Sequence, residues 1–149
     1  MNTKTLPGIA AIEYNLANDT ALSPTRYIVP GDITLVVGNF VAFDLVNTAS
    51  FNVSDEKTDA GVVYTTTITG TLFDNDLLNA KIRATLVNRY HVFRITDLYK
   101  KQYLVGIDRK PYPEITFSHV IDNLPDGIRA INFEITWNSD IPPIELQVL

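Results

Sequence analysis

Hydrophobic and polar residues alternate along much of this chain with the two-residue period of a half-buried strand. From Phe40 to Val53, the odd positions Phe43, Leu45, Asn47, Ala49, Phe51 and Val53 share one side, and Ala42, Asp44, Val46, Thr48, Ser50 and Asn52 the other. A polar, turn-rich link, Ser54 to Gly61, leads to Val62–Phe73, where Val63, Thr65, Thr67 and Thr69 alternate with Val62, Tyr64, Thr66 and Ile68. The pair reads as one long hairpin over about 40–73. At ~3.3 Å per residue its strands reach roughly 35 Å or more, longer than the ~17–20 Å of an ordinary strand. Further strands are expected at Tyr90–Leu98, Gln102–Ile107, Ile115–Ile121 and Ala130–Trp137, with a short apolar run at Ile33–Val37. Only one segment carries the helical period. Leu78, Ile82 and Leu86 recur at i, i+4 and i+8 after the capping candidates Asp74 and Asn75, which predicts a flanking helix over about 75–88.

The expected architecture is mainly β: an antiparallel sandwich or barrel of about seven strands with one helix. Pro7, Pro24 and Pro30 break up the start of the chain, and Pro142-Pro143 its end. Residues 1–32 are therefore expected to form an N-terminal arm, 33–139 the β domain and 140–149 a C-terminal tail. Within the arm, short strands are expected at Ile9–Tyr14 and Arg26–Val29.

Composition narrows the function. The 149 residues are 46% hydrophobic, which allows one domain with a real core. With no cysteine there is no disulfide framework, thiolate chemistry or Cys-based zinc site. No stretch has the ~18 apolar residues of a membrane span, and no apolar leader stands at the start, so synthesis in a cytoplasm is expected. A net charge of −5 argues against gripping nucleic acid through its phosphates and suits a surface that DNA passes without sticking.

Candidate chemistry is thin. His91 and His119 each lie within an expected strand beside apolar neighbours and belong to no metal-spaced cluster; both read as core-edge histidines. Glu114 and Glu134 would be neighbours if their strands pair, as the two carboxylates of a glycosidase are, but the simpler reading is of solvent-facing strand carboxylates. The acidic link Ser54–Asp59 lacks the spacing of a calcium loop. No phosphate-binding glycine motif or nucleophile elbow occurs. No catalytic, cofactor-binding or metal-binding residue is assigned, and no cofactor is expected. An exposed aromatic patch built from Tyr99, Tyr103, Tyr112 or Trp137 would make the domain a carbohydrate- or peptide-binding module, the alternative reading.

The order of segments carries one resemblance. A Gly61-Val62-Val63-Tyr64 strand of alternating threonines is followed by a helix, and then by an HVFRITD strand ending in Asp97. The YLVG of Tyr103–Gly106, PEITFSHV and a last INFEITW strand complete it. Over about residues 59–137 this resembles small structural proteins of tailed bacteriophages and prophages, of the tail-tube or head–tail connector type. The resemblance implies a sandwich or barrel with projecting hairpins and terminal arms that lock neighbours into rings. On that reading the chain is a non-enzymatic virion protein, made in the host cytoplasm. Its partners would be copies of itself and adjoining tail or neck proteins, with DNA only passing through a lumen and no membrane involved.

Overall fold

The structure, a computed structural model, describes residues 2–5, 8–23, 35–43, 45, 48–73, 84–86, 88–107, 110–120 and 130–146. Among them the fold is mainly β, two five-stranded antiparallel sheets and a two-stranded ribbon. Twelve strands are present: β1 Asn2–Thr5, β2 Ile9–Leu16, β3 Ala21–Ser23, β4 Leu35–Val37, β5 Val41–Ala42, β6 Ser50–Thr58, β7 Gly61–Phe73, β8 His91–Asp97, β9 Gln102–Val105, β10 Glu114–Val120, β11 Ala130–Ser139 and β12 Ile144–Leu146. The first sheet runs β1-β6-β7-β11-β10, the second β12-β9-β8-β2-β5, and β3 pairs with β4. The sandwich class read from the alternation holds. The strands outnumber the expected seven because several are only two to four residues long.

Burial follows the alternation most cleanly on the first sheet. On β11, Ile131, Phe133, Ile135, Trp137 and Ser139 are buried, while Asn132, Glu134 and Asn138 are exposed. On β7 the even positions Thr66, Ile68 and Leu72 face inward. The two sheets meet through aromatic rings, with Phe43 as the hub. It lies 5.4 Å from Phe133 of the first sheet, and 5.4 Å from Tyr14 and 6.2 Å from Phe93 of the second. Phe51 packs on Tyr103 at 5.8 Å. Edge-on and tilted pairs at these separations add to the apolar area each ring buries.

Three expectations require correction. The described part of 1–32 is not an arm. Strand β1 pairs with β6, and β2 lies inside the second sheet between β8 and β5, with Ile9 and Ile12 fully buried. Proline stops a helix but not a strand beginning two residues later, so Pro7 marks where β2 starts. The tail is likewise built in: β12 pairs with β9, and Ile141, Ile144 and Leu146 are buried. Finally, 40–53 is not one strand. Val41–Ala42 joins the second sheet, the chain crosses at Phe43–Ala49, and Ser50 begins β6 in the first.

The hairpin is therefore 50–73, and its polar link is itself strand. Ser54–Thr58 pairs with Gly61–Thr65 around a two-residue turn, Asp59-Ala60. Gly61 takes a φ of 123°, a conformation that costs glycine little, and Thr58 Oγ1 donates to the Gly61 carbonyl at 2.8 Å. Both neighbours stop short: β1 ends its pairing at Asp55 and β11 at Tyr64. Among the described residues, Glu56–Val63 thus projects by about 10 Å beyond both neighbouring strands, with Glu56–Gly61 exposed. Of the expected helix 75–88, Ala84–Leu86 and Asn88 are helical, and Leu86 is buried; the remainder lies outside the described residues. So does the strand expected at Arg26–Val29.

Candidate functional site

The outer face of the first sheet is a ladder of small polar side chains. Register sets Ser50, Thr69, Glu134 and Thr116 in one row across four strands. Thr71, Asn132 and Ser118 form the next row on one side, and Asn52, Thr67, Thr136 and Glu114 that on the other. A shallow depression of about 560 Å³ lies over the first two rows. Much of the polar capacity is spent within the face. Thr65 Oγ1 donates to Asn138 Oδ1 and Thr71 Oγ1 to Asn132 Oδ1, both at 2.9 Å, and the hydroxyls of Ser50 and Thr69 bond each other. The charged groups on this face are Glu56, Glu114 and Glu134, with no lysine or arginine among the described side chains. Such a surface hydrates well and offers an anionic polymer no counter-charge.

Glu114 and Glu134 do come together diagonally, since Glu114 pairs with Thr136 and Glu134 with Thr116. Both are exposed on an open sheet face, and Glu134 also accepts from Thr136 Oγ1 at 3.5 Å. Among the described residues they line different depressions, Glu134 the one over the ladder and Glu114 the one beside Tyr90, and so do not share the single cleft that acid–base work on a glycosidic bond requires.

His91 is buried, as expected of a core-edge histidine. Its Nδ1 lies 3.0 Å from the Arg89 carbonyl, which only accepts, so Nδ1 carries the hydrogen. Its ring meets Tyr14 edge-on at 5.7 Å. Burial holds the imidazole pKa below its ordinary 6.5, and the Arg89 charge acts the same way; the backbone hydrogen bond opposes them. Tyr14 is shifted upward by burial, and Tyr103 by burial and by the charges of Asp97 and Glu145. The backbone of His119 pairs with Ile131 in β10; its side chain lies outside the described residues. Among the described residues, no group of three or more His, Cys, Asp or Glu is placed to hold a metal ion.

The four rings named as a possible platform do not make one. Trp137 is buried, its indole N–H donating to the Pro111 carbonyl at 2.9 Å, and Tyr103 packs inward on Phe51. Tyr99 stands 76% exposed at the β8–β9 turn beside Leu98. That turn is rigid because buried Asp97 accepts from the N–H of Tyr99 at 2.8 Å and of Lys101 at 2.9 Å. Tyr112 instead stacks on Tyr90, centroids 4.5 Å apart and planes 18° from parallel. Tyr90 was not among the sequence candidates, because it precedes β8 by one residue and shares no alternation with the other rings. The one available signal is that it falls just outside an apolar strand with a basic neighbour, Arg89.

Comparison with protein families, with curated proteins and with solved structures finds no match to the chain.

Proposed function

We propose that the chain is a non-enzymatic virion structural protein, a subunit of a phage tail tube or head–tail connector ring. The observation that carries the reading is the outer face of the first sheet. Its hydroxyls and amides bond one another, its charges are carboxylates, and it offers neither a cation nor a catalytic cleft among the described residues. Facing a lumen, such a surface lets DNA slide.

Assembly does not run through free arms, since both described ends belong to the sheets. Two other features remain available to neighbours. One is the projecting tip Glu56–Val63, with Val63 38% exposed. The other is β10, a seven-residue outermost strand among the described residues, without lysine or proline. The remaining sheet edges are β1, β5 and β12, of two to four residues. Short edges guard against pairing with another chain, and a long unguarded one invites it. Copies of the same chain and adjoining tail or neck proteins are the partners on this reading.

Electron microscopy of the purified protein over rising concentration tests it. Rings or short tubes with an open channel are expected; unassembled particles at every concentration would overturn the proposal.

A further inference from the structure

Between the first sheet's β10 edge and the residues leading into β8 lies a second depression, about 360 Å³, which meets the polar ladder at Glu114 and Thr116. Its walls combine an aromatic ring, Tyr90, with Arg89, Asn88, Glu114 and Thr116, over a floor of Pro113, Ile115 and Leu86. Tyr90 is 61% exposed, so much of its ring is open to solvent. It is nevertheless held still. Tyr112 stacks beneath it, and the Trp137 indole ties down Pro111, one residue away from Tyr112. On the other side of Tyr112, Pro113 packs so closely on Gly106 (φ 97°) that a Cβ there would come within 2.6 Å of the proline ring. The loop bearing Tyr112 therefore rests on two fixed points.

Arg89 and Glu114 are both exposed, and neither forms a salt bridge among the described residues, where the ion pair is Arg94–Glu13. The cleft thus presents five forked donors from a guanidinium, two acceptor oxygens from a carboxylate and the amide of Asn88 around one rigid aromatic ring. We propose that this cleft is a saccharide-binding subsite: a pyranose ring stacks on Tyr90 while its hydroxyls accept from Arg89 and donate to Glu114. A sugar hydroxyl does both at once, which fits unpaired groups of opposite charge on one cleft. An apolar ligand leaves both charges without a partner, and a simple anion is repelled by Glu114. The cleft takes in Glu114–Thr116 of the β10 edge, so a sugar bound here and a copy paired along that end of β10 would compete; the site rests on the Tyr90 stack and the groups around it.

The test is a titration of the full chain with soluble hexasaccharides of glucose, of N-acetylglucosamine and of galactose, followed by saturation-transfer NMR and calorimetry. At least one is expected to bind saturably, with saturation transferred from tyrosine ring protons. Tyr90→Ala should weaken that binding about ten-fold, the loss of one aromatic stacking contact, and Glu114→Gln should weaken it too. Tyr99→Ala, a still more exposed ring away from the cleft, should leave it unchanged. Both Tyr90→Ala and Tyr99→Ala alter exposed side chains, and an unchanged circular dichroism spectrum separates lost binding from lost folding. No saturable binding by any of the three sugars overturns the proposal. So does binding that survives Tyr90→Ala, or that falls equally with Tyr99→Ala.

Discussion

The two large sheets use their outer faces differently. In the first, β6, β7, β10 and β11 bury one side and give the other to water, so the outer positions are serine, threonine, asparagine and glutamate. In the second, strand β8 is covered on both sides: His91, Phe93, Ile95 and Asp97 are buried, and so is Val92 between them. Even its polar outer position is occupied. Arg94 donates from Nε and Nη2 to the two carboxylate oxygens of Glu13 at 3.0 and 2.7 Å, and its guanidinium lies 4.3 Å from the centre of the Phe40 ring. One sheet is therefore a surface backed by a core, and the other is itself part of the core. The first exposes a hydrated polar face, and the second supplies buried contacts.

This contrast is most easily broken where the sheets join. Phe43 touches rings of both, and Phe43→Ala should destabilise the fold by about 3–5 kcal/mol through lost burial and the cavity left behind. Chemical denaturation measures it. A loss under about 1 kcal/mol would mean that the sheets are not held through this ring.

Next in size is the ion pair of the second sheet, whose side chains are only 23% and 21% exposed. Arg94→Met leaves Glu13 half-buried without its partner and should cost about 1–3 kcal/mol. The same kind of change on the first sheet's outer face, Thr69→Ala, should stay within about 0.5 kcal/mol. Equal effects at the two sites would erase the distinction between the sheets.

How far the sequence revealed each sheet follows from the same contrast. On β11 and β7, one face is in water, so Ile131, Phe133, Ile135 and Trp137 alternate visibly with Asn132, Glu134 and Thr136, and the inner face could be named from the pattern. On β2, both faces are partly covered, and Ile9–Leu16 shows no clean alternation; beside Pro7 it looked peripheral. Its burial depends on pairing with β8, some eighty residues away, which no local pattern encodes. The crossover at Phe43–Ala49 was hidden for another reason. The odd positions Phe43, Ala49 and Phe51 keep the same parity while the chain changes sheets, so the alternation runs on through the break. The passive nature of the outer ladder was legible in its threonines, but the Tyr90–Tyr112 stack was not, because it joins residues that are adjacent only in the folded chain.

His91 adds a pH dependence confined to the second sheet. Its folded pKa lies below the unfolded 6.5, so the unfolded chain binds the proton more readily. The stability owed to neutral His91 is complete above pH 6.5 and is lost as the pH falls through its lowered folded value. Urea midpoints measured from neutral pH downward should fall, and His91→Phe should flatten the part of that fall due to imidazole. An unchanged slope in the variant would contradict the account of a buried, neutral ring.

A small effect of the opposite sign is expected inside the first sheet. Thr66 is fully buried, and its hydroxyl has no hydrogen-bond partner among the described residues. Thr66→Val keeps the shape and removes the unmet polar group, so it should be neutral or stabilising by up to about 1 kcal/mol. Clear destabilisation would show that the hydroxyl has a partner.

On the proposed function, a body whose described ends are already paired within its own sheets would still associate with its own kind, through the hairpin tip and the β10 edge. The native mass of the full chain tests this most directly. A single closed species at an integer multiple of the 16.7 kDa protomer is expected, persisting on dilution through the micromolar range and dissociated by a proline placed within Glu114–Ser118. A 16.7 kDa monomer at every concentration would contradict it.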